Sequence, residues 1–183
     1  SKLVTGSIYC GIKLWDIASA KELLLNTGIV NPIIFSPDRK YAITVSGYDI
    51  IKVWDLSSGK LIKTFPESYR RILSGAFSPD GRYILISPEK KPLRLLDIAN
   101  GVEIRKFTMD SDSILSIAFS PDSKYAATVS DRKKIKFWDI VTGKEVNTFA
   151  GDSHDILQIV FSPDGKYILS CSSDRTLSLL DVA

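Results

Sequence analysis

The stretch FSPDGKYILSCSSDRTLSLLDV, residues 161–182, decides the fold because its opening recurs through the chain. Copies of FSPD start every 42 residues, and a second marker, an apolar residue followed by Asp, keeps the same spacing in the last four of its five copies. A fixed internal period of this length indicates a fold built from repeated units. The FSPD copies start at Phe35, Phe77, Phe119 and Phe161. The second markers are Trp15-Asp16, Trp54-Asp55, Leu96-Asp97, Trp138-Asp139 and Leu180-Asp181.

Between the markers the pattern is that of strands and turns. RYILIS and KYAATVS are rich in the apolar and β-branched residues that favour strands. IIKVWD alternates large apolar side chains with polar ones, which is typical of a half-buried strand. A short apolar run before each FSPD and a charged run after each second marker complete the unit. We therefore predict an all-β chain of 18 strands, with four strands, a to d, in each complete repeat.

The turns carry their own signals. In SPDG, Pro sets φ at the first turn residue, Asp bonds its own backbone and Gly accepts a positive φ, so this turn joins strand a to strand b. The stretches 55–59, 97–101 and 139–143 begin with Asp and end with Gly, which predicts the turn from c to d. Strand d carries the charges that protect the edge of a sheet, so we expect it at the outer edge and strand a innermost.

Composition sets limits on the function. The chain has 183 residues, is 44% hydrophobic and 25% charged, and has a net charge of +3. These proportions are typical of a soluble globular protein, and the small basic surplus does not predict nucleic-acid binding. Cys10 and Cys171 provide neither a disulfide framework nor a metal cluster, so we expect a reducing, cytoplasmic location. No apolar run is long enough to predict a transmembrane helix.

Together these motifs resemble the WD-repeat β-propellers, whose repeats are about 40–45 residues long. The resemblance covers essentially the whole chain and implies four-stranded antiparallel blades around a central channel. It implies about four and a half blades, in repeat units 1–28, 29–70, 71–112, 113–154 and 155–183. It also implies a structural role for the repeat markers Trp15, Asp16, Trp54, Asp55, Asp97, Trp138, Asp139 and Asp181.

Two family features are incomplete in this chain. Family members often carry a Gly-His pair nine residues before the Phe of FSPD and an Asp in the turn from b to c. The positions that correspond to the His hold Asn26, Ser68, Asp110 and Asp152, and only Asp174 matches the Asp. The buried His–Ser–Asp–Trp hydrogen-bond network of the family therefore cannot form completely here.

The sequence offers no convincing catalytic or cofactor site. GDSHD, residues 151–155, contains Ser153, His154 and Asp155, but a hydrolytic triad needs its side chains in line within about 3 Å of each other, which consecutive loop residues rarely achieve. We interpret it as a polar loop and expect neither a metal site from Asp152, His154 and Asp155, nor a cofactor, nor enzymatic activity.

The cations support a hypothesis about partners. In WD-repeat propellers the loops from d to a and the turns from b to c share one face, which is the face most often used for binding. Two interpretations remain open: a solvated rim of mixed charge, or an arc that binds an acidic, phosphorylated or nucleic-acid partner. The residues concerned are Arg70, Arg71, Lys90, Lys91, Arg132, Lys133 and Lys134.

The resulting functional prediction is a non-catalytic scaffold that binds a protein or peptide partner, with no membrane or nucleic-acid role expected. One alternative is the sensing propeller of a multidomain prokaryotic signalling or defence protein, and another is a basic arc that binds nucleic acid or a phosphorylated ligand. Because propellers have about 4–8 blades and open blade faces would expose apolar surface, we expect further blades to complete a ring of about seven or eight. They would come from a longer chain or, alternatively, from a second copy.

Overall fold

Every element that the structure assigns is a β-strand. The computed structural model describes residues 2–7, 11–16, 19, 21–25, 30–46, 50–65, 72–108, 114–130, 133–150 and 154–182, with the backbone alone for most residues before 34. These residues form 18 strands, which confirms the predicted fold class and the strand count. By the density of its internal contacts the chain divides into two compact units, residues 1–72 and 73–183, which are described separately below.

The first unit contains two antiparallel sheets, each in chain order. One sheet has three strands: β1 (Lys2–Ser7), β2 (Gly11–Asp16) and β3 (Lys21–Leu25). The other has four: β4 (Val30–Phe35), β5 (Tyr41–Ser46), β6 (Ile51–Asp55) and β7 (Leu61–Phe65).

The second unit contains three antiparallel sheets, and the boundary between the units falls within β8. The first of them has β8 (Ile72–Phe77), β9 (Tyr83–Pro88), β10 (Leu93–Asp97) and β11 (Val102–Phe107). The next has β12 (Ile114–Phe119), β13 (Tyr125–Ser130), β14 (Lys134–Asp139) and β15 (Glu145–Ala150). The last has β16 (Ile156–Phe161), β17 (Tyr167–Ser172) and β18 (Leu177–Asp181). Each sheet is a meander, the arrangement of a propeller blade.

The SPD turn closes each hairpin between strands a and b through its serine. Ser120 Oγ donates to Asp122 Oδ1 at 2.6 Å and accepts the Tyr125 N–H at 3.0 Å, and Asp122 Oδ1 also accepts the Lys124 N–H at 3.1 Å. The next residue, Ser123, has a φ of 62° and accepts the Asp80 N–H of the neighbouring blade on its Oγ at 3.1 Å. This turn therefore holds its own hairpin and also contacts the blade before it.

Apolar side chains from facing sheets form the core of the second unit. Leu85 and Leu95 of one sheet pack with Ile117 and Trp138 of the next, and the rings of Phe107 and Trp138 meet edge to face at 5.6 Å. A second cluster repeats the arrangement one blade later, where the β12–β15 sheet packs on the β16–β18 sheet. Its buried members are Ala127, Val129, Ile135, Phe137, Ile156, Ile159 and Ile168.

A tryptophan and a threonine form a buried pair inside two of the blades. Trp138 Nε1 donates to Thr128 Oγ1 at 2.8 Å, and Trp54 Nε1 donates to Thr44 Oγ1 at 2.9 Å. In the β8–β11 blade the positions 42 residues before Trp138 and Thr128 hold Leu96 and Ile86. The polar donor and its acceptor are therefore replaced together, which leaves no buried indole N–H without a partner.

In the β16–β18 blade the same two positions hold Leu180 and Ser170, and the smaller side chains leave space. A cavity of about 50 Å³ lies there. It is lined by Ile135, Ala150, Ile156, Ser170, Ser172, Ser178 and Leu180.

We expect Thr128→Val to lower the free energy of unfolding by about 1–3 kcal/mol, because the buried Trp138 indole N–H loses its acceptor. Urea denaturation followed by circular dichroism measures this loss. Thr108, which is exposed in the same unit, provides the control Thr108→Val, and this variant should unfold as the wild type does. Equal stability of Thr128→Val and the wild type would show that the indole hydrogen bond contributes nothing.

We expect the double variant Leu180→Trp, Ser170→Thr to raise the free energy of unfolding by about 1 kcal/mol. Filling a cavity recovers roughly 24 cal/mol per Å³, and the threonine hydroxyl of the double variant accepts the N–H of the new indole. Thermal and urea denaturation measure the gain. Leu180→Trp alone should gain less, since its N–H then depends on the shorter Ser170 side chain. A double variant that is less stable than the wild type would contradict this account of the cavity.

Candidate interaction surface

The turns from strand b to strand c and the loops from strand d to strand a meet at one end of the last blade. The Ser173 N–H donates to the Asp155 carbonyl oxygen at 2.8 Å, and His154 Nδ1 lies 3.1 Å from Asp174 Oδ2. The turns from a to b lie at the opposite end, where Ser123 links two blades. We call the first of these the b–c end of the second unit: the end that carries the turns after β9, β13 and β17.

Four of the seven predicted cations are exposed at the b–c end. Lys90 and Lys91 lie in the turn after β9, and Lys133 and Lys134 lie in the turn and first residue of β14. Arg70, Arg71 and Arg132 lie outside the described residues, so their place in the predicted arc stays a prediction.

Sequence reasoning missed one member of this set, Arg175. Lys91, Lys133 and Arg175 are spaced by 42 residues and are all exposed. Their N–H groups close equivalent turns, donating to the carbonyl oxygens of Pro88, Ser130 and Ser172 at 3.4, 3.3 and 3.1 Å. We call these three residues the cation register. The 42-residue period applied to Lys133 would have identified Arg175.

An acidic residue beside the register is already engaged. Asp174 Oδ1 accepts the Thr176 hydroxyl at 2.6 Å and the Thr176 N–H at 2.9 Å. The hydroxyl hydrogen bond is the main cause of the lowered pKa of Asp174, and the Thr176 N–H and the charge of His154 add to it. Its carboxylate therefore stays ionised while it organises its own turn.

Two other cations of the second unit, Arg94 and Lys136, are buried within their blades and do not belong to this surface. Arg94 pairs with Glu103, and Lys136 Nζ lies 2.9 Å from Glu145 Oε2, each pair joining strands c and d. The described cations at the b–c end are exposed by comparison, so they can meet a partner without breaking a buried pair.

The aspartates of the second marker organise the turns from c to d. Asp139 Oδ1 accepts the Thr142 N–H at 2.7 Å, and Asp97 Oδ1 accepts the Asn100 N–H at 2.8 Å. In the first unit the Ser57 hydroxyl, followed by the Ser58 N–H, lowers the pKa of Asp55 to about 2. A carboxyl whose pKa is lowered on folding stabilises the fold above its unfolded value of 3.8 and loses that contribution as the pH falls toward its folded value.

The remaining markers are less fully described. Trp15 is half-buried, whereas Trp54 and Trp138 are 7% and 2% exposed. Asp16 pairs in register with Lys2 and Lys21, and Asp181 ends β18 opposite Tyr167.

The GDSHD stretch is described only in part, because residues 151–153 lie outside the described ranges. Within those ranges no three His, Cys, Asp or Glu side chains are grouped as a metal site would require. The described part of the chain also contains no helix with the length and apolar character needed to cross a membrane.

Comparison with known proteins matches the repeats to a family and to several relatives. Residues 101–139 and 143–181 each match the family model described as "WD domain, G-beta repeat". Ribosome assembly protein 4 of Saccharomyces cerevisiae is 39% identical over 67 residues, which are 34% of this chain and 13% of that protein. Nuclear distribution protein PAC1 of Ajellomyces capsulatus is 33% identical over 75 residues, which are 39% of this chain and 16% of that protein. The matched segments thus span only a small part of each relative.

Proposed function

Because the chain belongs to the WD-repeat family of β-propeller proteins, we propose that it is a non-catalytic scaffold that binds protein partners in the cytoplasm. The observation that carries the proposal is the set of exposed cations at the b–c end, on turns held by hydrogen-bonded sheets. Loops on a rigid framework are where binding residues concentrate. The name of one relative, ribosome assembly protein 4, supports a role in assemblies.

The chemistry of this end favours an acidic partner. Lys90, Lys91, Lys133, Lys134 and Arg175 are exposed there, and complementary charge increases the rate and specificity of association. A nucleic acid is the less favoured partner because the net charge of the chain is only +3. A sensing role within a larger signalling or defence protein is compatible with the same surface, but no described residue favours it specifically.

Site-specific photo-cross-linking tests the scaffold proposal. A photoreactive amino acid placed at Lys90 or Lys134 should cross-link to partner proteins in an extract of the source cells. The same group placed at Lys124 or Lys166, which are exposed at the opposite end, should give few of these products. Identical product patterns from the two ends would contradict binding through the b–c end.

The outer face of the β16–β18 sheet supports the proposal that a further blade packs on the second unit. Leu177 and Leu179 are 67% and 63% exposed, whereas Leu93 and Leu95, the corresponding residues two repeats earlier, are 1% and 2% exposed. Leu169 and Val160 are exposed on the same sheet. Contiguous apolar surface of this kind marks an interaction site, and the internal blades are covered at these positions by the next sheet.

We expect Leu177→Glu with Leu179→Glu to leave the stability of the 183-residue protein nearly unchanged while reducing its binding of an apolar dye and any self-association. Ile135→Glu, at the buried counterpart of Leu177, should unfold the second unit. Light scattering then tells whether a second copy supplies the blade, since a dimer would become a 20.3 kDa monomer in the double variant. A wild-type monomer that binds no dye would contradict the proposed docking face.

A further inference from the structure

We propose that the cation register binds an extended acidic peptide whose acidic side chains recur at every third residue. This inference rests on the proposed scaffold function and defines the partner of the same surface. The register presents one cation from each of three successive blades: Lys91, Lys133 and Arg175.

The spacing follows from how the blades pack. The β8–β11 sheet packs on the β12–β15 sheet, and that sheet packs on the β16–β18 sheet. Packed sheets lie about 10 Å apart, so equivalent residues on successive sheets step by roughly that distance. An extended chain in the polyproline II conformation advances about 3.1 Å per residue with three residues per turn, so three residues cover one step and return the side chain to the same face. Acidic side chains at positions one, four and seven would therefore each meet one cation.

The density of charge favours a peptide over a nucleic acid. A nucleic-acid strand carries a charge about every 3.4 Å, whereas the register offers one cation per blade. Glu89, Asp155 and Asp174 lie at the same end and would repel the additional phosphates of a continuous polyanion. A peptide can place neutral residues opposite these acids and acidic residues opposite the register.

The conformation of its turn does not account for the presence of an arginine at position 175. Its φ is 73°, in the left-handed region that glycine adopts most easily. The acid next to it in sequence, Asp174, already accepts two hydrogen bonds from Thr176 and contacts His154. A guanidinium at this position can bind a carboxylate of a partner through two parallel hydrogen bonds.

Synthetic peptides of one composition test the spacing. The spaced peptide is Glu-Ser-Gly-Glu-Ser-Gly-Glu, and the clustered peptide is Ser-Gly-Glu-Glu-Glu-Gly-Ser. In fluorescence anisotropy at low salt we expect the spaced peptide to bind about tenfold more tightly, the effect of several exposed ion pairs together. Added salt should weaken both interactions, because these charges face solvent.

Charge-reversal variants test the residues. A triple variant that reverses the register should abolish the preference for the spaced peptide; it carries Lys91→Glu, Lys133→Glu and Arg175→Glu. The matched control reverses Lys124, Lys144 and Lys166 to Glu; these residues are exposed away from the b–c end of the same unit, and the change in net charge is the same. Arg175→Gly should weaken binding of the spaced peptide severalfold. This variant should unfold at the same urea concentration as the wild type or at a higher one, since glycine adopts the positive φ more easily.

Three results would overturn the inference. Equal affinity for the two peptides would overturn the spacing, and equal losses in the two triple variants would overturn the assignment to the register. Tighter binding of a single-stranded oligonucleotide of equal charge would overturn the peptide class. None of these results bears on cross-linking at the b–c end, so failure of the register remains distinguishable from failure of the scaffold function.

Discussion

The second unit depends on the burial of its sheets against one another. A single sheet with two apolar faces cannot shield both of them, so its stability comes from stacking. Leu85 and Leu95 are covered by the sheet that follows, and Trp138 is covered by the sheet that precedes. The cores contain few polar atoms, and the Trp138 indole N–H is satisfied by Thr128 within its own blade. Apolar packing between blades is supplemented by hydrogen bonds between them, since Ser116 Oγ accepts the Ile159 N–H at 3.2 Å and Ser123 Oγ accepts the Asp80 N–H at 3.1 Å.

The two ends of each blade differ in how their turns are built. At the end that carries the turns from a to b and from c to d, the side chains of the SPD serines and of the second-marker aspartates form hydrogen bonds that close the turns. At the b–c end, Lys91, Lys133 and Arg175 lie in turns closed by backbone hydrogen bonds. Cations exposed at this end can meet an acidic partner, and for that reason this end is the better candidate for binding.

The sequence predicted the fold well because the fold is governed by a period. FSPD and the second marker identified the strands, the turns and the class of the chain before any geometry was known. The pairing of Thr128 with Trp138 was not predicted, since it depends on two side chains that meet across neighbouring strands. The joint replacement by Ile86 and Leu96 is a signal visible in the sequence, but it has meaning only once the register of the strands is known.

The candidate site was predicted less completely. Lys90, Lys91, Lys133 and Lys134 were predicted because they lie as adjacent pairs in turns of the expected binding face, whereas Arg175 stands alone beside an aspartate. Arg175 became visible as an equivalent of Lys133 through its turn hydrogen bond. His154 was considered for a triad and for a metal site and interpreted as part of a polar loop, whereas its contact with Asp174 joins two loops distant in sequence.

The central claim is that burial between neighbouring blades stabilises each sheet, and residue-resolved amide hydrogen exchange tests it most directly. Both faces of the β12–β15 sheet, which contains β13, are covered by neighbouring sheets. The β16–β18 sheet has one exposed face: Leu169 on β17 is 39% exposed, whereas its counterpart on β13, Ala127, is fully buried. In a dilute sample of the 183-residue protein, the account predicts that β13 amides exchange at least about tenfold more slowly than β17 amides, because local opening follows burial. Equal protection of β13 and β17 in a monomeric sample would contradict it.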